Sequence, residues 1–144
     1  MAAGRSTFAV EMHETSTILS HATSRSLLII DELGRGTSTS DGTAIAEATL
    51  SHIAARIGAV CLFVTHFASL GELCNRLPKA IGAFHMGYLE SESVDDVTDA
   101  PRITFLYKLR RGIAPASFGL NVARMAGIDS AILREAARQS KAVE

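Results

Sequence analysis

The sequence predicts an α/β fold, a parallel sheet with flanking helices, and three observations carry that prediction. "SLLII" (Ser26 to Ile30) is a short aliphatic run bounded by polar residues, the pattern of a strand buried on both faces. "AVCLFV" (Ala59 to Val64) reads as a second buried strand. Between them Ala46, Leu50, Ile53 and Ile57 recur on one helical face. Strand, helix and strand in that order form a βαβ unit, whose crossover is right-handed and whose ligands bind beyond the strands' carboxyl ends. Asp31, Glu32, Thr65 and His66 all fall there.

The other elements follow in chain order. From Thr7 to Ala22, Phe8, Met12, Thr15 and Leu19 keep helical spacing, and Ser6 is placed to cap the start. The helix after the first strand is expected over Asp41 to Ile57, with Asp41 complementing the dipole and Gly58 as its stop. A short helix is expected over Phe67 to Asn75. "IGAFHMGYLE" and "RITFLYKL" read as extended, joined by the acidic link "SESVDDVTDAP", which reads as an exposed, solvated hairpin loop. Ser117 starts a short helix through Ala126, Gly127 breaks it, and Asp129 or Ser130 caps a final Ala-rich helix.

Bulk properties narrow the function classes. At 144 residues, 47% hydrophobic and 20% charged, the chain has the composition of one soluble globular domain, or part of one. Its 14 Lys+Arg against 15 Asp+Glu give a net charge of -1, with no footprint for a phosphate backbone, so a nucleic-acid role is expected to reside in other chain. Cys61 and Cys74 lack zinc-ligand spacing and read as free, buried or semi-buried thiols suited to a reducing compartment, cytosol or nucleus. The longest apolar runs fall far below the roughly 20 residues a membrane span needs, and no signal-peptide core opens the chain.

The chemistry concentrates in "LLIIDELGRGTS" (Leu27 to Ser38). An aliphatic strand ending in Asp-Glu suits a nucleoside triphosphatase: Asp31 holds Mg²⁺, and Glu32 orients or deprotonates the attacking water. Taken alone, the same pattern also occurs wherever a strand surfaces into a polar loop. "FVTH" ends the next strand in a polar pair, so His66 can sit beside the carboxylates and donate to a phosphate or the water. "GRGTSTSDG" (Gly34 to Gly42) offers glycines for close backbone approach and hydroxyls for phosphate, metal or a facing subunit; its alternative is an ordinary connector.

"GRSTFAVEM", "SLLIIDELGRGTSTSDGTAIAEA", "FVTHF", "FHMGY" and "RGIAPASFGLNVARMAGI" occur in the order and spacing of the C-terminal ATPase region of MutS-type DNA mismatch-repair proteins. The chain resembles that family over essentially its whole length. "EMHETSTIL" and "FHMGYL" resemble the eukaryotic homologue 3 type, which recognises insertion/deletion loops.

The resemblance implies part of a P-loop NTPase sheet of the ABC type followed by a C-terminal helix-turn-helix. It divides the chain into 1–112, the distal ATPase part, and 113–144, a dimer-contact segment. It implies ATP and Mg²⁺ as ligands, with Asp31 and Glu32 in the Walker B role and His66 as the switch histidine. Ser6 is then presented across a dimer interface to the partner's γ-phosphate, with Thr7 beside it. Gly36, Thr37 and Ser38 form the loop that exchanges contacts between the two nucleotide sites. His85 matches a further family histidine near the interface.

Implied partners are a second MutS-family subunit and mismatched DNA, the latter through domains absent from this chain, with a nuclear location and no membrane. The closing helices carry Arg124, Arg134, Arg138 and Lys141, yet apolar residues dominate them, which favours a dimer contact over a DNA reader.

One departure stands out: no GxxxxGK[ST] occurs anywhere in the chain. The chain is therefore expected to be the distal part of an ATPase domain, a fragment or a truncated product, inactive alone. Two other readings stay open. One is a non-catalytic dimerisation module that binds a MutS-like partner; the other is a transporter-type ATPase fragment, which "GRGTSTSDG" disfavours.

Overall fold

The computed structural model describes residues 6–94, 96–97, 101–115 and 117–143. The chain divides into two compact units, residues 1–83 and 84–144.

The first unit opens with α1 (Thr7–His21), started by Ser6, whose hydroxyl accepts from the Ala9 N–H at 3.1 Å. Gly4 and Arg5 of the stretch before it lie outside the described residues. Strand β1 (Leu27–Asp31) follows, then α2 (Thr39–His52), which continues through a π-helical turn over Ile53–Ile57. Ser38 caps α2 by accepting from the Asp41 N–H, and Gly58 ends the turn in the left-handed region with φ +69. Strand β2 (Val60–Val64) pairs parallel with β1, Leu27 opposite Val60 through Asp31 opposite Val64. A 3₁₀ turn (Ala68–Gly71) and α3 (Glu72–Arg76) complete the unit. The α/β class and the parallel pair agree with the sequence.

Burial corrects one expectation. The strands are not covered on both faces: Leu28 and Ile30 are buried, whereas Leu27 and Ile29 are 63% and 66% exposed, as are Val60, Leu62 and Val64 on the same face. The cause is one-sided packing. Met12, Ile18 and Leu19 of α1, Ile45 of α2, and Ile57 all pack around Leu28, Ile30, Leu33 and Ile53 on one side. No described residue of this unit supplies a second layer for the other side. A second cluster joins Ala46 of α2 to Phe67 and Leu70, and it seats the loop after β2 on α2. Each fully buried Leu or Ile contributes about 1.5–3 kcal/mol, and Leu33 puts one such residue just beyond the carboxyl end of β1.

The second unit is an antiparallel hairpin with two helices. Strands β3 (Phe84–Val94) and β4 (Pro101–Arg111) pair from Phe84 opposite Arg111 to Val94 opposite Pro101, with irregularities near Met86/Tyr88 and beyond Glu90. The hairpin therefore enters the acidic link that the sequence assigned wholly to a loop; residues 95 and 98–100 of that link lie outside the described residues. Ladder hydrogen bonds are indifferent to side-chain charge at an exposed strand end, so acidic residues do not stop the pairing. Helix α4 (Gly119–Met125) follows, and the Phe118 ring before it stacks against Tyr88 at 4.4 Å. Gly127, φ +83, reverses the chain into α5 (Ser130–Val143), whose first turn is capped by Asp129 accepting from the Ala131 N–H at 2.7 Å. Among the described residues no helix is long and apolar enough to cross a membrane.

Candidate functional site: the carboxylate loop after the first strand

Asp31 is the last residue of β1 and lies exposed opposite Val64. The parallel ladder extends one residue further, because the Glu32 N–H donates to the Val64 carbonyl at 2.9 Å. There the chain turns sharply: Glu32 has φ +51, in the left-handed region that glycine or asparagine normally fills. Leu33, 2% exposed, plugs into the core immediately afterwards, and the Arg35 N–H closes the turn on the Glu32 carbonyl. An L-residue with a long side chain persists in that conformation only where its surroundings over-determine it. Here the ladder bond before it and the buried leucine after it do so.

The loop closes on itself through two glycines. A Cβ at Gly42 would lie 2.2 Å from the Gly34 carbonyl oxygen, and one at Gly34, φ +91, would lie 2.5 Å from the Gly42 carbonyl oxygen. Both ends of "GRGTSTSDG" are thus in backbone contact, so the segment is a locked Ω-like turn and not a slack connector.

The Glu32 carboxylate is bracketed. Arg35 donates to its Oε2, and the Nδ1 of His66 lies 3.8 Å from its Oε1. His66 is held from behind: its ring packs beside Phe67 at 4.3 Å, Phe67 is buried against Ala46 and Leu70, and the Phe67 N–H donates to the Thr65 hydroxyl. Asp31, Glu32, Arg35 and Gly36 then form one wall of an open cleft of about 370 Å³, and Thr7, Phe8 and Glu11 of α1 form the other.

The structure therefore gathers most of the residues singled out from sequence. Asp31, Glu32, Gly36 and Thr7 line one cleft, and His66 approaches Glu32. Ser6 and Ser38 both act as helix caps through their oxygens, which leaves each hydroxyl proton available to donate. Neither they nor Thr37 line the cleft. His85, in the second unit, approaches the Gly112 carbonyl with its Nδ1 at 3.2 Å. Sequence reasoning missed Glu11 and Arg35. The available signal was that Glu11 sits three and four residues beyond Phe8 and Thr7, on the same helix face.

Two adjacent carboxylates, one exposed and one flanked by an imidazole and a guanidinium, suit a hard cation and the deprotonation of a water. Asp31 and Glu32 offer a hard cation such as Mg²⁺ no more than two carboxylates, and no group of three or more His, Cys, Asp or Glu gathers among the described residues, so its other ligands would be phosphates and water.

Comparison with known proteins assigns the chain to a family. Residues 1–144 match the family described as MutS domain V. The chain is 47% identical over 139 residues to the DNA mismatch repair protein Msh3 of Dictyostelium discoideum, covering 95% of this chain and 10% of that protein. It is 46% identical to the Msh3 proteins of Mus musculus and Homo sapiens, covering 98% of this chain and 14% and 13% of theirs. The chain thus spans only a small part of the length of the relatives it matches. It belongs to the MutS domain V family, and its relatives place it with the homologue 3 type.

Proposed function

We propose that this chain carries the hydrolytic half of an ATP-hydrolysing site in a DNA mismatch-repair protein. The observation that carries the reading is Glu32, held in a left-handed conformation at the carboxyl end of β1 with Asp31 before it and His66 beside its carboxylate. Backbone strain at one residue of an exposed loop has a use when that residue's side chain must be aimed.

In this reading Glu32 accepts a proton from a water as the water oxygen bonds to the terminal phosphorus and the bridging P–O bond to ADP breaks. His66 hydrogen-bonds the transferred phosphoryl group. Asp31 would help to hold Mg²⁺, which would supply positive charge to the phosphate oxygens. Arg35 keeps Glu32 aligned between turnovers. The phosphate cradle comes from another segment of the complete protein, since no GxxxxGK[ST] occurs in these residues.

Ser6 and Thr7, at the start of α1, face the nucleotide of a second MutS-family subunit, where a helix N-terminus and a hydroxyl together make an anion site. Gly36, Thr37 and Ser38 face the same interface. In the complete protein, ATP exchange and hydrolysis switch a clamp on mismatched or looped DNA, in the nucleus. The fold this implies is part of a P-loop NTPase sheet, with the closing helices as a dimer contact. The exposed Val122, Met125, Ile128 and Ile132 support that contact.

The test is Glu32→Gln in the complete protein with its partner subunit. ATP binding should persist while turnover falls by about 10²-fold or more, the range of a lost general base. Unchanged turnover would remove Glu32 from the mechanism. The same contact also allows a non-catalytic module; a C-terminal Ile128→Asp, Ile132→Asp variant that still co-elutes with the partner would argue against the helices as the interface.

A further inference from the structure

Helix α1 and the loop after β1 are 23 residues apart in sequence but share a hydrogen bond: the Gly34 N–H donates to Oε1 of Glu11 at 2.8 Å. The second carboxylate oxygen faces the same loop, because a Cβ at Gly36 would lie 3.4 Å from Oε2 of Glu11 and 3.1 Å from the Cβ of Phe8. Phe8 and Glu11 are one helical turn apart, so a single face of α1 rests on the loop at two points.

Gly34 is buried and locked against the Gly42 backbone, and Glu11 is half-buried along the cleft wall. A carboxylate accepting from a backbone N–H makes a shorter and stronger bond than a neutral acceptor does. Glu11 thereby joins α1 to the loop through one charge-assisted hydrogen bond.

We propose that Glu11 is a positioning residue that ties the N-terminal end of α1, with Ser6 and Thr7, to the loop that orients Glu32. The two ends then move as one body, so that a nucleotide contact made at the start of α1 is felt at the carboxylate. This rests on the reading of Glu32 as the hydrolytic base and of Ser6 as the hydroxyl facing the partner.

The experiment compares Glu11→Ala and Glu11→Gln in the complete protein with its partner, reading amide exchange of the peptide containing Gly34, kcat and KM for ATP. In Glu11→Ala the Gly34 amide should exchange faster and kcat should fall by about tenfold or more with KM nearly unchanged, the signature of lost alignment. Glu11→Gln, which retains an acceptor oxygen, should restore both. In a Glu32→Gln background Glu11→Ala should cost no further turnover, because both act on one step.

Unchanged Gly34 exchange in Glu11→Ala would overturn the tie. Faster exchange with unchanged kcat would overturn its role in catalysis, as would failure of Gln to rescue. Should Glu32→Gln itself leave turnover intact, the reading of the base fails, while the exchange arm still judges the tie alone.

Discussion

The two units of this chain treat apolar side chains in opposite ways. Residues 1–83 enclose Leu28, Ile30, Leu33, Ile53, Phe67, Leu70 and Leu73, and gather their exposed large aliphatics, Val10 of α1 apart, on one face of the β1–β2 sheet. Residues 84–144 bury only Leu133 and Ala137 among the described hydrophobics, and leave Met86, Leu109, Met125 and Ile132 in the open. The candidate site lies on the first. Holding a carboxylate in a strained turn requires a rigid support, and the Leu33 plug beside Glu32 provides it. In the second unit Val122, Met125, Ile128 and Ile132 around and within the closing helices are exposed.

The sharpest way to break this comparison is to truncate one residue from each side. Leu33→Ala in the complete protein should cost about 2–5 kcal/mol, the range for emptying a core leucine site. Ile132→Ala, at an exposed position, should stay within about 0.5 kcal/mol in the absence of a partner. Equal losses in denaturant melts would mean that Ile132 is covered in the folded protein.

A smaller effect separates locked from free glycines. Gly42→Ala drives a Cβ into the Gly34 backbone and should destabilise by about 1–3 kcal/mol as an overpacked site. Gly58→Ala, where nothing lies within 4 Å and only the positive φ resists, should cost about 1 kcal/mol. Thermal midpoints of the pair check the ranking, and the reverse order would show that the loop after β1 yields easily.

The smallest effect is electrostatic and belongs to the second unit. Arg138, and after it Gln139, hydrogen-bond Glu135 on the exposed face of α5 and hold its carboxyl below the usual carboxylate range. A folded value below the unfolded one contributes stability that is present above the unfolded value of about 4.3 and is lost as pH falls through the folded value. The midpoint difference between the native chain and Glu135→Gln should therefore be slight at pH 7 and vanish in stronger acid. A difference that grows on acidification would reverse the sign.

Much of this is legible in the sequence, and the failures have identifiable causes. The order α1, β1, α2, β2 follows from apolar period and from the Ser6 cap and the Gly58 stop, whereas the Ser38 cap, which starts α2 at Thr39 and not at Asp41, is not read. The one-sided burial of β1 is not legible, since an aliphatic run records that a strand is apolar on each side without recording which neighbours cover it. Asp31, Glu32 and His66 converge because a parallel crossover places successive strand ends side by side. The left-handed turn at Glu32 leaves no trace, as that conformation is ordinarily announced by Gly or Asn. Glu11 is invisible for a different reason: a glutamate on a helix reads as solvated until the chain folds Gly34 onto it.

The central claim is that Glu32 occupies its strained position because its side chain is used. It is tested most directly by Glu32→Asn in the complete protein with its partner, scored for thermal stability and ATP turnover together. Asparagine tolerates the left-handed conformation, and the exposed Arg35 pair that is lost contributes little. The account predicts a protein more stable by about 1 kcal/mol whose turnover falls by about 10²-fold or more. A variant that hydrolyses ATP as fast as the native protein, or one that is destabilised, would contradict it.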